Sequence, residues 1–330
     1  MHGHISKVKT GIKKEIKSLT IKSKKDILMD NRNIIHFFVE GEYMQNLYTE
    51  TRNILKKYNI TANKSLGQNF LINEQVVEEI VNAAEITKED LIIEIGPGLG
   101  TLTNELIQEA GRLICIELDK KMLKILEDRF KLYDNIEIIN IDVLKADLKS
   151  IIEETKKKYG LKQVKIVANL PYYITTPIIM KLLEEKLDIQ TITVMIQKEV
   201  AERITEIPGG KLSGAITYSV NYYSKPKFIF EVPKESFIPE PEVTSAVIKL
   251  EILDKPPIEL NNEETFFKLL KIIFSGRRKT LLNVLNNANI LSDKQKISKM
   301  LEELNIEEGI RGERLSMLQC ADIANYIGGI

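Results

Sequence analysis

Short apolar runs rich in β-branched residues alternate with charged, amphipathic segments from residue 90 onward. Strands are predicted for LIIEIG (91–96), LICIEL (113–118), IEIINI (136–141), VKIVAN (164–169) and TITVMI (191–196). Segments between them, such as KKMLKILEDRF (120–130), carry apolar residues at helical spacing. Because this alternation is typical of right-handed crossovers, we expect an α/β fold with a parallel sheet covered by helices on both faces. Ligands of such sheets bind beyond the carboxyl ends of the strands, at the topological switch point.

The pattern changes in the last part of the chain. VTSAVIKLEI (243–252) predicts a final strand, and LDKPPIEL (253–260) has the composition of a linker. Strand patterns are missing after about residue 262, and helical ones take their place. We therefore expect a sheet domain over residues 44–255 and a small helical domain over residues 256–330.

The composition is that of an ordinary globular protein, with 43% hydrophobic and 28% charged residues among 330. No run of eighteen apolar residues occurs, so we expect no membrane-spanning helix and a cytoplasmic protein. The cysteines are Cys115 and Cys320, too few for a disulfide framework or a cysteine-rich zinc site. We expect both to be core thiols in a reducing compartment.

Net charge does not identify a partner, because 47 basic residues balance 47 acidic ones. Affinity for nucleic acid depends on where cations cluster, so local basic patches must show whether the chain binds a nucleic acid. Between Lys7 and Lys25 there are eight lysines and one acid, Glu15. We expect residues 1–43 to be a basic, disordered extension, either an arm that gains order on RNA or sequence upstream of a native start at Met44.

A glycine loop follows the first predicted strand, with Gly96, Gly98 and Gly100 in LIIEIGPGLGTLT (91–103). Glycine is needed where backbone must turn sharply and approach a ligand closely. The dinucleotide fingerprint has glycine at its first, third and sixth positions, and Thr101 occupies the sixth place here. The loop therefore disfavours a nicotinamide cofactor without excluding it.

Acidic residues stand at the ends of the next two predicted strands. Glu117 can accept hydrogen bonds from both hydroxyls of a ribose, and Asp142 can accept one from an adenine amine. Plainer explanations exist, namely a tight turn for Gly98, a helix cap for Glu117 and an Asx turn for Asp142. Their succession at three consecutive strand ends favours an adenosyl cofactor. Glu94, beside the loop, suits a cationic amino-acid tail better than a pyrophosphate.

The fourth predicted strand runs into Asn169, Leu170, Pro171, Tyr172 and Tyr173 at the same sheet edge. An adenine amine is a poor nucleophile because its lone pair is delocalised into the ring. Hydrogen bonds to the Asn169 side-chain oxygen and to a carbonyl near Leu170 or Pro171 would draw that nitrogen toward tetrahedral geometry. Proline fixes the local φ, and Tyr172 offers a face for an extruded base. The plainer alternative is a strand-ending turn with a partly buried aromatic ring.

Taken together, these residues resemble the ribosomal RNA adenine dimethyltransferases. The motifs that carry the resemblance are KSLGQNFL (64–71), EIGPGLG (94–100), IELD (116–119), NLPYY (169–173), QKEVAERI (197–204) and FIPEPEVTS (237–245). The resemblance covers roughly residue 44 to the end of the chain. Within the family, FSGRRKTLLNVL (274–285) is similar to the enzymes that act on the small subunit.

The resemblance implies a Rossmann-like class I methyltransferase sheet with a small C-terminal helical domain. It implies S-adenosylmethionine as cofactor, and dimethylation of two adjacent adenosines in a hairpin loop near the 3′ end of small-subunit (16S) rRNA during ribosome biogenesis. The expected partner is this rRNA within a pre-ribosomal particle. We expect a monomer that needs neither a metal nor a covalent enzyme intermediate.

The resemblance also assigns roles to residues. The positions expected to bind S-adenosylmethionine are Asn69, Leu71, Glu94, Gly96, Gly98, Glu117, Asp142 and Asn169. Asn169, with the Leu170–Pro171 backbone, would orient the target amine, while Tyr172 stacks on the base and Phe237 closes its other side. Arg277, Arg278 and Lys279 would contact RNA phosphates, the alternative being a solvated helix face. Tyr173 departs from the asparagine that many family members carry there.

Other functions remain open from the residues. A nicotinamide-dependent oxidoreductase could use the same sheet, although Thr101 and the NLPY run disfavour it. A ribosome-assembly factor could bind pre-ribosomal particles with methylation secondary or lost, against which the intact NLPYY run argues. Within the methyltransferases, a large-subunit RNA target is the alternative that the helical tail disfavours.

Overall fold

The structure, a computed structural model, describes residues 46–63, 66–276 and 278–329. The predicted basic extension over residues 1–43 lies outside the described residues. The chain divides into a unit over Met1–Glu50 and a compact unit over Thr51–Ile330. Helix α1 (Asn46–Lys57) begins in the first unit. All that follows concerns the second unit.

A mixed sheet forms the centre of the fold. Chain order gives β1 (Phe70–Leu71), β2 (Asp90–Ile95), β3 (Arg112–Glu117), β4 (Ile136–Asn140), β5 (Gln163–Asn169), β6 (Thr191–Gln197), β7 (Ser224–Val232), β8 (Phe237–Ile238) and β9 (Ser245–Ile252). The large sheet has the order β4-β3-β2-β5-β6-β9-β7, and β1 pairs with β8 separately. Strands β2 to β6 pair in parallel, whereas β9 runs antiparallel to both β6 and β7.

The strand order reverses beside β2. The chain passes from β2 outward to β3 and β4, then returns to place β5 on the other side of β2. The carboxyl ends of β2 and β5 therefore border the crevice in which ligands of such sheets bind. The five predicted strands and their parallel pairing are confirmed, and antiparallel β9 and β7 extend them into a mixed sheet.

Helices fill the connections. Before the last strand they are α2 (Glu74–Ala84), α3 (Thr101–Glu109), α4 (Lys120–Phe130), α5 (Leu148–Tyr159), α6 (Thr175–Glu184), α7 (Lys198–Thr205) and α8 (Ala215–Tyr223). Side-chain caps fix several starts, since Asp119 accepts from the Lys121 amide and Asp147 from the Ser150 amide. The apolar faces of α5 to α8 pack on the sheet to form the main core. Cys115 and Cys320 are both buried, as predicted.

Strand β7 was not predicted. Its sequence, SKPKFIFEV, contains Pro226, which argues against a central strand. The structure places β7 at the edge of the sheet, where a missing backbone donor is tolerated. The β1–β8 pair was also missed, because strands of two residues carry no readable periodicity.

The end of the chain is helical, as predicted, with α9 (Glu263–Ser275), α10 (Leu281–Asn287), α11 (Lys294–Glu303) and α12 (Met317–Gly328). Its core includes Tyr218 and Tyr222 from α8. The helical tail thus shares its core with the sheet region, and a domain boundary at residue 256 stays a prediction. In the part of the chain that the structure describes, no helix is both long and apolar enough to cross a membrane.

An ion pair is buried at the amino end of the sheet. The ammonium of Lys165, on β5, donates to Asp90 Oδ2 on β2 at 2.9 Å and to the Glu85 carbonyl at 2.6 Å. Only 6% of the Lys165 side chain and 1% of the Asp90 side chain are exposed. Removing one partner of such a pair leaves an uncompensated buried charge.

We predict that Lys165→Met lowers the free energy of unfolding by about 3 to 5 kcal/mol, because the Asp90 carboxylate loses its counter-charge. Lys162→Met is the matched control, since it breaks a pair with Glu89 in which both side chains are more than 60% exposed. That change should cost less than about 1 kcal/mol. Urea unfolding curves measure both, and equal losses would contradict the assignment of the pair as a structural element.

Candidate active site

A cavity opens at the carboxyl edge of the sheet, beside the switch point. Its walls come from segment 66–71, the glycine loop, the ends of β3 and β5, and the loop that follows β4. The predicted cofactor residues all line it, namely Asn69, Leu71, Glu94, Gly96, Gly98, Glu117, Asp142 and Asn169. The structure therefore brings together residues separated by up to one hundred positions in the sequence.

The glycine loop is held against the end of β3. Gly98 has a φ of 57°, and its amide donates to Glu117 Oε2 at 3.1 Å. At Gly100, with a φ of 82°, a Cβ atom would come within 2.6 Å of the Phe130 ring. Gly98 is therefore more than a tight turn, because it fixes the carboxylate that faces the cavity.

Glu117 is almost fully buried in the cavity wall. Its second oxygen, Oε1, accepts from the Asp119 amide at 2.8 Å. Burial raises the pKa of Glu117, and the two amide donors act against that rise. The helix-cap explanation is wrong, because Asp119 caps α4 instead. Glu117 is thus a fixed hydrogen-bond acceptor facing the cavity.

Asp142 was interpreted from the sequence either as an Asx-turn residue or as a hydrogen-bond acceptor for the cofactor, and its position fits both. Strand β4 ends at Asn140, and Asp142 follows in a turn, where its Oδ1 accepts from the Leu144 amide at 3.0 Å. This is the Asx-turn geometry that sequence reasoning allowed. The residue also lines the cavity, so the turn itself positions an acceptor there.

Glu94 is the most deeply buried acid of the cavity, with 2% of its surface exposed. Thr103 Oγ1 donates to Glu94 Oε2 at 2.6 Å, and Cys115 Sγ lies 3.6 Å from the same oxygen. Burial raises the pKa of Glu94 to about 7, although the Thr103 and Cys115 hydrogen bonds act in the opposite direction. A carboxyl buried in this way would gain from a bound cation.

Asn169 sits where β5 ends, and its orientation is fixed. Its Nδ2 donates to the Asn69 carbonyl at 3.3 Å. Because the amide nitrogen is engaged in this way, Oδ1 is left as the atom that can accept a hydrogen bond from a ligand. This is the end of the amide that sequence reasoning assigned to the target amine.

The neighbouring carbonyls are not equivalent. The Pro171 oxygen accepts from the Ile174 amide at 3.2 Å and from Thr175 Oγ1 at 3.1 Å. Those bonds use both of its lone pairs. The structure therefore favours the Leu170 carbonyl over that of Pro171 as the second acceptor. The Leu170 amide is itself anchored on the Met195 carbonyl at 3.1 Å.

The two tyrosines that follow lie in a 3₁₀ turn, Tyr172–Ile174, at the cavity. Tyr172 is half-buried, and its hydroxyl forms a hydrogen bond with Ser245 Oγ. Burial raises the pKa of its phenol, with the Ser245 bond acting the other way. Tyr172 is thus tethered at its polar end, which leaves the ring face to define the cavity.

Phe237 does not reach the cavity. It belongs to β8, where it pairs with Leu71 of β1, and only 1% of it is exposed. A ring without an open face cannot stack on a base in this arrangement. Its role in closing the far side of the base stays a prediction that requires the ring to become accessible.

Arg278 and Lys279, predicted to contact RNA phosphates, are also absent from the cavity lining. Arg278 and Lys279 are exposed in the turn between α9, which ends at Ser275, and α10, which begins at Leu281. The helix-face interpretation is wrong for both, because α9 has already ended. Arg277 lies outside the described residues. Phosphate contact by this cluster stays a prediction.

Sequence reasoning missed two positioning residues. Gln68 Nε2 donates to Asp119 Oδ2 at 2.9 Å. This bond holds segment 66–71 against the turn between β3 and α4. Gln68 lies inside the QNFL motif, which could have indicated it. Thr103, which holds Glu94, gave no such signal, because its contact depends on how α3 packs on β2.

Comparison with known proteins agrees with this geometry. The family model described as ribosomal RNA adenine dimethylase matches residues 59–328. The chain belongs to this family. As a member, it is an S-adenosylmethionine-dependent enzyme that acts on RNA, which confirms the predicted enzyme class, cofactor and Rossmann-like fold and excludes the nicotinamide alternative.

Curated relatives carry the name ribosomal RNA small subunit methyltransferase A. The protein of Alkaliphilus oremlandii is 46% identical over 278 residues, which cover 84% of this chain and 96% of the relative. That of Clostridioides difficile is 45% identical over 280 residues, covering 85% and 96%.

Solved structures show the same architecture. A dimethyladenosine transferase from Plasmodium falciparum matches with a TM-score of 0.65 and 27% identity, covering 78% of this chain and 98% of that one. The 23S rRNA methyltransferase ErmE shares the fold, with a TM-score of 0.60, 23% identity and coverage of 79% and 100%.

The buried state of Glu94 predicts a pH dependence of stability. Its pKa of about 7 exceeds the ordinary value of 4.5, so between these values the folded protein holds a proton that the unfolded chain has released. The resulting stabilisation is fully present below pH 4.5 and is lost as the pH rises through about 7. We expect the free energy of unfolding to fall by about 2 to 3 kcal/mol between about pH 5 and pH 8 from this residue.

Glu94→Gln should remove that part of the pH dependence, whereas Glu127→Gln, at an exposed position on α4, should leave it unchanged. Urea unfolding of the cofactor-free protein at several pH values measures the difference. A Glu94→Gln protein with the same pH profile as the parent would show that the carboxyl is ionised throughout.

Proposed function

We propose that this enzyme dimethylates two adjacent adenosines in a hairpin loop near the 3′ end of 16S rRNA in the small subunit. We further propose that it acts in the cytoplasm as a monomer on a pre-ribosomal particle during ribosome biogenesis. The names of the curated relatives support the small-subunit target. The observation that carries the reaction is that Asn169, its amide nitrogen bound to the Asn69 carbonyl, and Leu170 line the same cavity as the glycine loop.

The two acceptors, Asn169 Oδ1 and the Leu170 carbonyl, act on the nucleophile. Each can take one hydrogen of an adenine amine, which draws the nitrogen toward tetrahedral geometry and makes its lone pair available. Their positions are fixed beforehand, because Asn169 is bound to Asn69 and Leu170 to Met195. Preorganised polar groups of this kind lower a barrier without reorganising during the reaction.

The cavity residues hold the other reactant. When bound, S-adenosylmethionine supplies an electrophilic methyl group. Glu117 would accept from ribose hydroxyls, and the buried Glu94 would face the cationic amino-acid tail. Because the predicted cofactor residues line one cavity with Asn169 and Leu170, they would hold methyl donor and amine together. Such proximity is worth up to about 7 to 11 kcal/mol in well-oriented reactions.

The target base must leave its stack to enter the cavity. Extrusion costs a few kcal/mol and least in an unpaired loop, which suits a hairpin substrate. The tethered ring of Tyr172 would stack on the extruded base and offset part of that cost. Arg278 and Lys279, both exposed, would contact RNA phosphates, as would Arg277.

The test uses methyl-labelled S-adenosylmethionine with unmethylated small or large ribosomal subunits, followed by digestion and identification of labelled nucleosides. We expect labelled dimethyladenosine in the small subunit alone. Label confined to the large subunit would overturn the target while keeping the reaction. No label on either, with cofactor bound, would favour the assembly-factor function.

Asn169→Ala should lower turnover by about a hundredfold or more, because one of the two acceptors for the amine is lost. The dissociation constant for S-adenosylmethionine should change far less than turnover. Asn104→Ala, at an exposed position on α3, serves as the control and should retain parental turnover. Near-normal turnover of Asn169→Ala at saturating RNA would contradict the assigned role.

A further inference from the structure

Tyr173 is unlike its neighbour in the NLPYY segment. Both tyrosines line the cavity, yet 53% of Tyr173 is exposed while Tyr172 is half-buried and tethered to Ser245. They are consecutive in a 3₁₀ turn, where successive side chains diverge by about 120°. Tyr172 therefore faces the interior of the cavity, and Tyr173 stands at its rim.

The aromatic ring of Tyr173 packs against the backbone at Gly67. A Cβ atom at Gly67 would lie 3.3 Å from Tyr173 Cδ1 and 3.6 Å from its Cε1, so the ring packs closely on this backbone. Gly67 has a φ of 62°, a conformation that other residues seldom adopt. The backbone thus provides a support for the aromatic ring, and more than half of the residue stays open to solvent.

We propose that Tyr173 is a stacking platform for the nucleotide next to the target adenosine. This inference rests on the proposed function, in which one base of an RNA loop enters the cavity. When that base leaves its stack, the adjacent base loses a stacking partner at the rim of the cavity. An exposed, supported aromatic ring there replaces the partner, and base–aromatic stacking is worth about 1 to 3 kcal/mol per base.

The substrate proposed above makes this position more than a general RNA contact. With two adjacent target adenosines, the one that waits is the neighbour of the one in the cavity. Tyr173 then holds the second target while the first reacts. The chemistry requires an aromatic face and not the phenol hydroxyl, so phenylalanine should substitute for tyrosine.

Kinetics with unmethylated small subunits test the proposal. Tyr173→Ala should raise the KM for the subunit about 5- to 160-fold, which corresponds to the loss of one stacked base. Tyr173→Phe should behave like the parent, as should Tyr133→Ala, which removes a ring that is 40% exposed away from the cavity. The affinity for S-adenosylhomocysteine should be the same in all three variants. A Tyr173→Ala enzyme with parental KM, or one that loses cofactor affinity to the same extent, would overturn the stacking role.

A second readout does not depend on turnover. The chain has no tryptophan, so Tyr173→Trp introduces a unique fluorophore at the rim. A hairpin RNA with two adjacent loop adenosines should quench its emission when S-adenosylhomocysteine is present, whereas a Tyr133→Trp protein should show no change. Replacing the adenosine pair by abasic sites should abolish the quenching. Quenching that survives this replacement, or none with intact RNA, would overturn the inference even where the parent enzyme methylates the small subunit.

Failure of the parent enzyme to label the small subunit would count against the proposed function instead.

Discussion

The parallel pairing of β5 with β2 is the constraint on which the site depends. Five residue pairs from Asp90↔Gln163 to Glu94↔Val167 set the register between these strands. That register brings the glycine loop, which follows β2, and Asn169, the last residue of β5, to either side of one crevice. A slip of one residue would turn the side chains to the opposite face. The residues predicted to bind the methyl donor and Asn169, predicted to orient the amine, would then no longer line the same cavity.

Strand β2 carries a buried acid near each end, and the two acids differ in how their charge is compensated. At the amino end Asp90 is buried against the ammonium of Lys165, so its charge is compensated. Near the carboxyl end Glu94 is buried with Thr103 and Cys115 as hydrogen-bond donors, and burial raises its pKa to about 7. One strand thus carries a satisfied ion pair and an acid that a cationic ligand would stabilise. Perturbed acids of this kind concentrate at functional sites.

Local sequence patterns were sufficient where burial and periodicity decide the structure. The five central strands, the helical tail and the placement of the glycine loop, Glu117 and Asp142 at or just after strand ends follow from them. Strand β7 was missed because tolerance of Pro226 depends on its edge position. The burial of Phe237 against β1 is a tertiary effect, and no local pattern reports it because it depends on the partner that another segment supplies. The choice of the Leu170 carbonyl over that of Pro171 comes from a local turn, in which Ile174 and Thr175 donate to the Pro171 oxygen.

The predicted cofactor residues at separate strand ends would form one site beside Asn169 and Leu170. Amide hydrogen exchange with and without S-adenosylhomocysteine tests it directly, since bound ligand slows exchange where it orders backbone. We expect slower exchange together in residues 96–100, 117–119, 142–144 and 169–173, with no change in residues 278–280. Protection limited to the tail, or to one of these strand ends alone, would contradict a single shared site.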